Sequence, residues 1–415
     1  MWRIVDSGKK DSLQRAFSDR IQLKLDMEER LFFKDEEQRR RQLQKRAGAL
    51  LVMSVGLLLL FVFSLFFVTN FRYGTSFTLA SYLGGVRNSM NGFYNFIIGH
   101  TDTAGTQFIF FRALIAILVG ASLSCCGTVY QGAFRNALAS PLTLGVQAGG
   151  ILMGVLSIVL FSDQGSVGAI SFQDLQTQYQ GMSIFQKSMQ STFILIGGLL
   201  SVFLVVGIAT IAGRGKVTSL TLILCGFVFS SLISSISALI EYYMLLYYSA
   251  NEQINAIRTM VMGTFNNVFT FRHLLLVGIP ILICLMAILL LRNQFNLLVF
   301  GEDDAKAMGM RVGLFRGLMI GICSVIVGVT LSYCGQMGFI GLVVPHIARL
   351  AVGPDFRWLI PASMLMGGIV MLLSYNVAVA VGYAENLNVV TSVVCGLTFL
   401  FFLIIYRRKR NADWA

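Results

Sequence analysis

Residues 47–69 read AGALLVMSVGLLLLFVFSLFFVT, a run without a charged side chain or a proline. It is long enough for one α-helix to cross bilayer hydrocarbon, which takes about 20 apolar residues. Comparable apolar segments recur at about 108–131, 142–161, 191–212, 219–247, 272–292, 313–334, 336–352, 358–382 and 389–406. The eighth is the weakest of these ten, because it holds Pro345, His346 and Arg349. Together they predict an all-α, polytopic membrane protein. A transmembrane barrel would show alternating segments of about ten residues instead. Composition agrees: only 13% of the 415 residues are charged and 56% are hydrophobic. A soluble domain carries about 25% charged residues, and lipid is the solvent that makes fewer sufficient.

Working outward from the first run, the 46 residues before it hold 13 Lys/Arg against 9 Asp/Glu. Leu13, Phe17, Ile21 and Leu25 recur every four residues, a helical stripe. We read residues 1–46 as a charged, amphipathic cytoplasmic extension, solvated or in contact with a cytoplasmic subunit or anionic headgroups. No secretory signal pattern opens the chain. The basic block ending in Lys45 and Arg46 holds this end inside. Ten spans then return the C-terminus to the same side, with 407–415 as a basic cytoplasmic tail and 47–406 as the membrane domain. Inside connections carry 13 basic residues, among them Arg135, Lys306, Arg316 and Arg349, whereas outside regions carry 6. The net charge of +12 is thus a topology signal, and no aromatic-interleaved basic stripe points to nucleic acid.

Several chemistries are disfavoured. The seven cysteines show neither CxxC spacing nor a zinc pattern and read as small buried hydrophobes. No phosphate loop exists, since Gly213-Arg214-Gly215-Lys216 has Thr210 where the upstream glycine would stand. Only Glu241 is an acidic residue within a span, too little for a proton relay. The chain therefore has no evident motor of its own, and ATP hydrolysis on a separate subunit becomes attractive.

Three connecting segments carry the mechanism. In Gly301-Glu302-Asp303-Asp304-Ala305-Lys306-Ala307-Met308-Gly309 the glycine stops one helix and three acids suit the positive start of a short new one. Such a slim helix can dock in a groove of a cytoplasmic partner; an ordinary acidic loop is the alternative. Gln131 to Gly145 breaks two helices at the inner face, with Asn136 and Ser140 as caps and Pro141 in a first helical turn. In Gly335 to Leu350, His346 and Arg349 share a helix face and Pro345 kinks it. Lacking a partner acid or cysteine, His346 reads as a structural histidine more readily than as a catalytic one.

Taken together, these places resemble the FecCD-type permeases, the transmembrane subunits of binding-protein-dependent ABC importers for iron–siderophore complexes, haem and cobalamin. The pattern Q-x-x-x-R-N-P-L-A-x-P-x-x-L-G is matched by Gln131, Arg135, Asn136, Leu138, Ala139, Pro141, Leu144 and Gly145, with Ala137 for the first proline. L-G-E-x-x-A-x-x-L-G is matched by Gly301, Glu302, Ala305 and Gly309, and G-x-I-x-F-V-G-L-I-V-P-H-x-x-R by Gly335, Gly338, Phe339, Gly341, Leu342, Val344, Pro345, His346 and Arg349. Gly353, Asp355, Arg357 and Pro361 continue in register. The outer face diverges more: of the arginines that dock a binding protein only Arg112 remains, Leu373 to Asn376 lacks the usual Asp and Arg, and Glu385 persists without its neighbouring prolines.

The resemblance implies a type II importer architecture, two permease subunits around a central pathway, alike or paralogous. It implies ATP-binding subunits, which themselves hold ATP and magnesium, coupling to this chain through Gly301, Glu302, Asp303, Asp304, Ala305 and Gly309, and an extracytoplasmic substrate-binding protein docking near Arg112 and Glu385. The expected activity is import of a metal chelate, foremost an iron–siderophore complex, then haem or cobalamin, across the bacterial cytoplasmic membrane. No cofactor is expected on this chain, whose own contacts would be lipid and these subunits. An ion-gradient-driven transporter and an intramembrane enzyme using His346 are the readings from other classes.

Overall fold

The computed structural model describes residues 40–65, 67–68, 87, 106–161, 184–213, 219–247, 252–265 and 271–412. The stripe from Leu13 to Leu25, most of the expected extension 1–46, the outer connection 162–183 and the Arg214–Lys216 loop lie outside them. The chain divides into two compact units, Met1–Val52 and Met53–Ala415. Of the first, residues 40–52 are described and helical.

The described residues form helices joined by turns and short irregular connections, with no strand among them. The helices are α1 (Arg40–Leu65), α2 (Thr106–Ala133), α3 (Val146–Phe161), α4 (Ile184–Ala212), α5 (Ser219–Tyr247), α6 (Glu252–Met262), α7 (Phe271–Phe300), α8 (Glu302–Ala307), α9 (Val312–Cys334), α10 (Ile340–Val352), α11 (Phe356–Val381) and α12 (Leu387–Ala412). Seven of them are long and apolar enough to cross a membrane, and α3, α10 and α12 carry shorter apolar stretches. Each of the ten runs read from the sequence therefore corresponds to a helix.

Two of those runs are shorter than the sequence suggests. Residues 142–145 are turn, not helix, because Gly145 takes a left-handed φ of 78° and helix α3 begins only at Val146. Pro141 therefore sits in a turn and not in a first helical turn; its carbonyl accepts from Val146 N at 3.1 Å. Likewise α10 begins at Ile340, leaving Gln336–Phe339 non-helical, so this element has only 13 residues. Thirteen residues rise about 20 Å, less than the ~30 Å of hydrocarbon. Irregular backbone at such depth is tolerated where protein or a cavity surrounds it. A third departure is α6, a helix in the connection after α5 that the apolar-run reading passed over, since it is 11 residues long and much more polar than the spans.

Helix α2 is the centre of the second unit. Its apolar window is 83% buried, whereas that of α5 is 11% buried. What lets α2 be so enclosed is small residues at its crossings. A Cβ on Gly120 would meet the Gly367 carbonyl of α11, and one on Gly127 would meet Gly341 of α10. Beside the first crossing, Ser124 Oγ donates to Ser363 O at 2.8 Å. Gly149 of α3 and Gly197 of α4 meet in the same reciprocal way. Without a hydrophobic drive between helices in lipid, such close backbone packing and interhelical hydrogen bonds hold a bundle together. All seven cysteines are free thiols, five of them buried in this packing, as the composition suggested.

Candidate coupling end and paired helix breaks

Both non-glycine residues with positive φ among the described residues sit at the helix breaks: Arg135 (48°) after α2 and Phe339 (59°) before α10. Such backbone is uncommon outside glycine and persists where surrounding contacts over-determine it. Around Arg135 those contacts are explicit. Asn136 N donates to Gln131 O at 3.1 Å, and Asn136 Oδ1 accepts from Leu138 N at 3.0 Å. Ser140 N donates to Thr143 Oγ1 at 2.8 Å, while Thr143 N donates back to Ser140 Oγ at 3.2 Å. The caps expected at Asn136 and Ser140 thus exist, but they close turns and do not start a helix.

The two motifs read separately from the sequence are brought together in space. Gly127 and Gln131 lie one turn apart on α2 and face α10. Gln131 Nε2 donates to Leu342 O at 3.2 Å and stands 3.5 Å from His346 Nδ1. Arg349 Nη2 donates to Gln131 Oε1 at 3.2 Å. His346 Nδ1 lies 2.9 Å from Leu342 O, and its ring meets Phe399 of α12 edge-on at 5.8 Å. Gly341 of α10 meets Gly127 and Leu123 of α2, and Pro345 is buried. His346 is therefore held by the Leu342 carbonyl and by the edge of the Phe399 ring. From the second break, Met337 O accepts from Gln147 Nε2 of α3 at 3.4 Å, and a small, partly open cleft lies between Ser140, Pro141, Gln147, Met337 and Phe339.

Residues 301–310 form a separate feature. Gly301, at φ 141°, ends α7, and its carbonyl accepts from Ala305 N at 3.0 Å. Gly309, at φ 86°, closes the other end. Between them Ala305 is fully buried while Glu302, Asp303 and Asp304 are exposed. The result is a short ledge with one face seated and an acidic face outward. Lys306 Nζ stands 3.5 Å from Asp303. Arg316 of α9 reaches Glu302 Oε1 at 2.5 Å. The same guanidinium donates through Nε to Ala133 O at 2.9 Å and lies over the Phe134 ring at 5.6 Å. Its hydrogen bond holds the Glu302 carboxyl below its ordinary value, the main cause outweighing partial burial.

The sequence reading counted Arg316 only as an inside charge. It also missed Asn296, which ties α7 to α11: Asn296 Nδ2 donates to Asp355 Oδ1 at 2.8 Å, and Asn296 Oδ1 accepts from Phe356 N at 3.0 Å. Phe295 stacks on Phe356 at 5.4 Å and meets Phe315 at 5.0 Å. At the opposite end a second knot joins α6, the 335–339 break and the turn before α12. Gln336 N donates to Met260 O at 2.8 Å, Thr264 N to Cys334 O at 2.8 Å, and Leu387 N to Gly263 O at 2.9 Å. Neither knot has a strong sequence signal, because backbone groups or a single asparagine make it. Of the two residues expected to dock a binding protein, Glu385 is exposed in that second turn and Arg112 is half-buried in α2.

Helices long and apolar enough to cross a membrane, two breaks meeting within the bundle and an acidic ledge at the end of one helix give the architecture of a multi-pass membrane protein. The pattern of the FecCD transport family matches residues 56–405. The chain belongs to that family and is a permease subunit of an ABC importer. It is 30% identical over 300 residues to a cobalamin import system permease of Halobacterium salinarum, covering 72% of each chain. It is 30% identical to a molybdate import system permease of Haemophilus influenzae and 29% identical to a hemin transport system permease of Yersinia pestis, covering 72% of this chain and 80% and 83% of theirs. Among solved structures, an inward-facing conformation of a protein described as of metal-chelate ABC transporter type aligns with a TM-score of 0.63 at 27% identity. That alignment covers 87% of this chain and 99% of the other.

Proposed function

We propose that the chain forms one half of the pathway for a metal chelate, foremost an iron–siderophore complex, with haem or cobalamin as the second reading. The single observation that carries the mechanical part is the ledge at 301–310, whose alanine is buried and whose three acids face outward. An ATP-binding subunit, holding ATP and magnesium, docks there. A second permease, identical or paralogous, completes the pathway, and a substrate-binding protein meets the end that carries Glu385. Cargo specificity rests mainly with that binding protein, because small side chains grip little. ATP binding to two such subunits pulls the ledges together and rocks the helices between outward- and inward-open states, a rigid-body alternation.

Relatives for cobalamin, hemin, iron chelatin and molybdate leave the cargo to be read from chemistry. The metal-chelate description of the solved neighbour supports a chelate. We further assign residues 1–46 and 407–415 to the cytoplasm and 47–406 to the bacterial cytoplasmic membrane, on the excess of basic residues in the connections on that side. Reversing Glu302, Asp303 and Asp304 to lysine together is expected to strip the ATPase from the permease on affinity purification in mild detergent. Copurification at the unaltered ratio would sink the docking role. The same purification from unaltered cells, with the bound ligand identified, tests the cargo.

A further inference from the structure

We propose that Arg316 is the positioning residue that carries movement of α8 to the break after α2; this rests on the reading of α8 as the docking ledge. Both ends of α8 are glycines at positive φ, Gly301 at 141° and Gly309 at 86°. Glycine gives the backbone freedom at such positions, so pulling on α8 through its chain ends alone would be absorbed in the two hinges. Arg316 bypasses them. It grips the first residue of α8, Glu302, and with the same planar group holds the last carbonyl of α2, that of Ala133. It also covers the ring of Phe134, which in turn lies against Tyr130 at 6.0 Å.

What Arg316 holds at the α2 end is the start of the break. Arg135, the next residue after Phe134, has the left-handed backbone at φ 48°. Gln131, two residues before Ala133, makes the contacts to Leu342, His346 and Arg349 of α10. A displacement of Glu302 is therefore delivered to the one place where α2, the break and α10 meet. The chemistry requires arginine. Two partners in different directions are served by Nε and Nη2 of one rigid fork. A lysine ammonium is a single point charge on a flexible stem and cannot brace both. An isolated exposed ion pair would contribute little, but here the pair shares its cation with a helix C-terminal carbonyl.

The test uses the complete importer with its ATPase bound. Leu138, exposed in the break, is changed to cysteine, and its reaction rate with a water-soluble maleimide is measured without nucleotide and with ATP plus vanadate. Background labelling is subtracted using the parent protein. With Arg316 present the two rates should differ by at least ~5-fold, the lower bound of ordinary coupling between sites. Arg316→Met and Arg316→Lys should each bring the ratio close to one, while ATPase copurification stays at the parent value. Adding Glu302→Gln to Arg316→Met should change nothing more. The proposal is overturned if either variant keeps the parent ratio, if the parent shows no nucleotide-dependent ratio, or if the variants melt earlier and shed the ATPase, which marks a merely structural arginine. Failure of the docking reading appears separately, as retention of the ATPase after the triple charge reversal.

Discussion

Replacing Gly127 with alanine is expected to destabilise the permease although it adds a single methyl group and favours the helix. A Cβ at 127 would run into the carbonyl oxygen, carbonyl carbon and Cα of Gly341, all backbone atoms. No rotamer change can relieve that contact, so α2 and α10 must separate. Overpacking of this kind costs about 1–3 kcal/mol. The separation also stretches the Gln131 contacts to Leu342 O and Arg349, one turn along α2. Polar contacts between membrane helices average ~0.6 kcal/mol each. Against these stands a gain of about 0.8–1 kcal/mol for alanine over glycine inside a helix. A net loss of about 1–3 kcal/mol remains, taking the three terms as order-of-magnitude values. The assay is thermal unfolding of purified protein in detergent, followed by exposure of the buried thiols. Gly321→Ala supplies the reference, because a Cβ there meets nothing within 4 Å and only the helix gain applies. Gly341→Ala should fall between the two, its Cβ standing 2.9 Å from Leu123 O. A midpoint for Gly127→Ala equal to or above that of Gly321→Ala would refute the close-crossing argument.

Two further outcomes follow from the contacts. Because Arg316 holds the Glu302 carboxyl below its ordinary value of 4.5, the pair contributes fully above that value and is lost as pH falls through the depressed one. A fluorescent label at Met308, exposed beside α8, should thus stay constant from neutral pH down past 4.5 and shift only in stronger acid. The acid shift should vanish in Glu302→Gln; a shift centred at or above 4.5 contradicts the pairing. Gln131→Ala removes both the acceptor for Arg349 and the donor to Leu342 O. It should lower stability by roughly 1–2 kcal/mol on the membrane hydrogen-bond scale, read as a lower melting midpoint. No change would mean Arg349 finds another acceptor.

Much of the fold was legible in the chain because lipid imposes a simple code: an apolar run of span length becomes a helix. Each of the ten runs contains a helix, and the short helix in 301–309 was one of two readings, beside an acidic loop, that Gly301, the acids after it and Gly309 allowed. The boundaries at residues 142 and 336 were not. There an apolar run continues through backbone that a left-handed Gly145, or the strained Phe339 after Gly335, diverts from helix. Hydropathy responds to side chains and is blind to a carbonyl that turns away. Helix α6 was missed for the opposite reason, being real helix without span-like hydropathy.

The sequence by itself determined the class of molecule, its apolar helices and the three segments worth watching, since those follow from local composition and spacing. Which residues answer one another was decided only by tertiary structure. Gln131 and Arg349 are 218 positions apart, and Arg316 reaches back 183 positions to the Ala133 carbonyl. Such pairings depend on two glycine faces, at Gly127 and Gly341, coming close enough for the backbones to touch. The absence of a side chain marks where contact is permitted, and only the packed bundle shows with whom it is made.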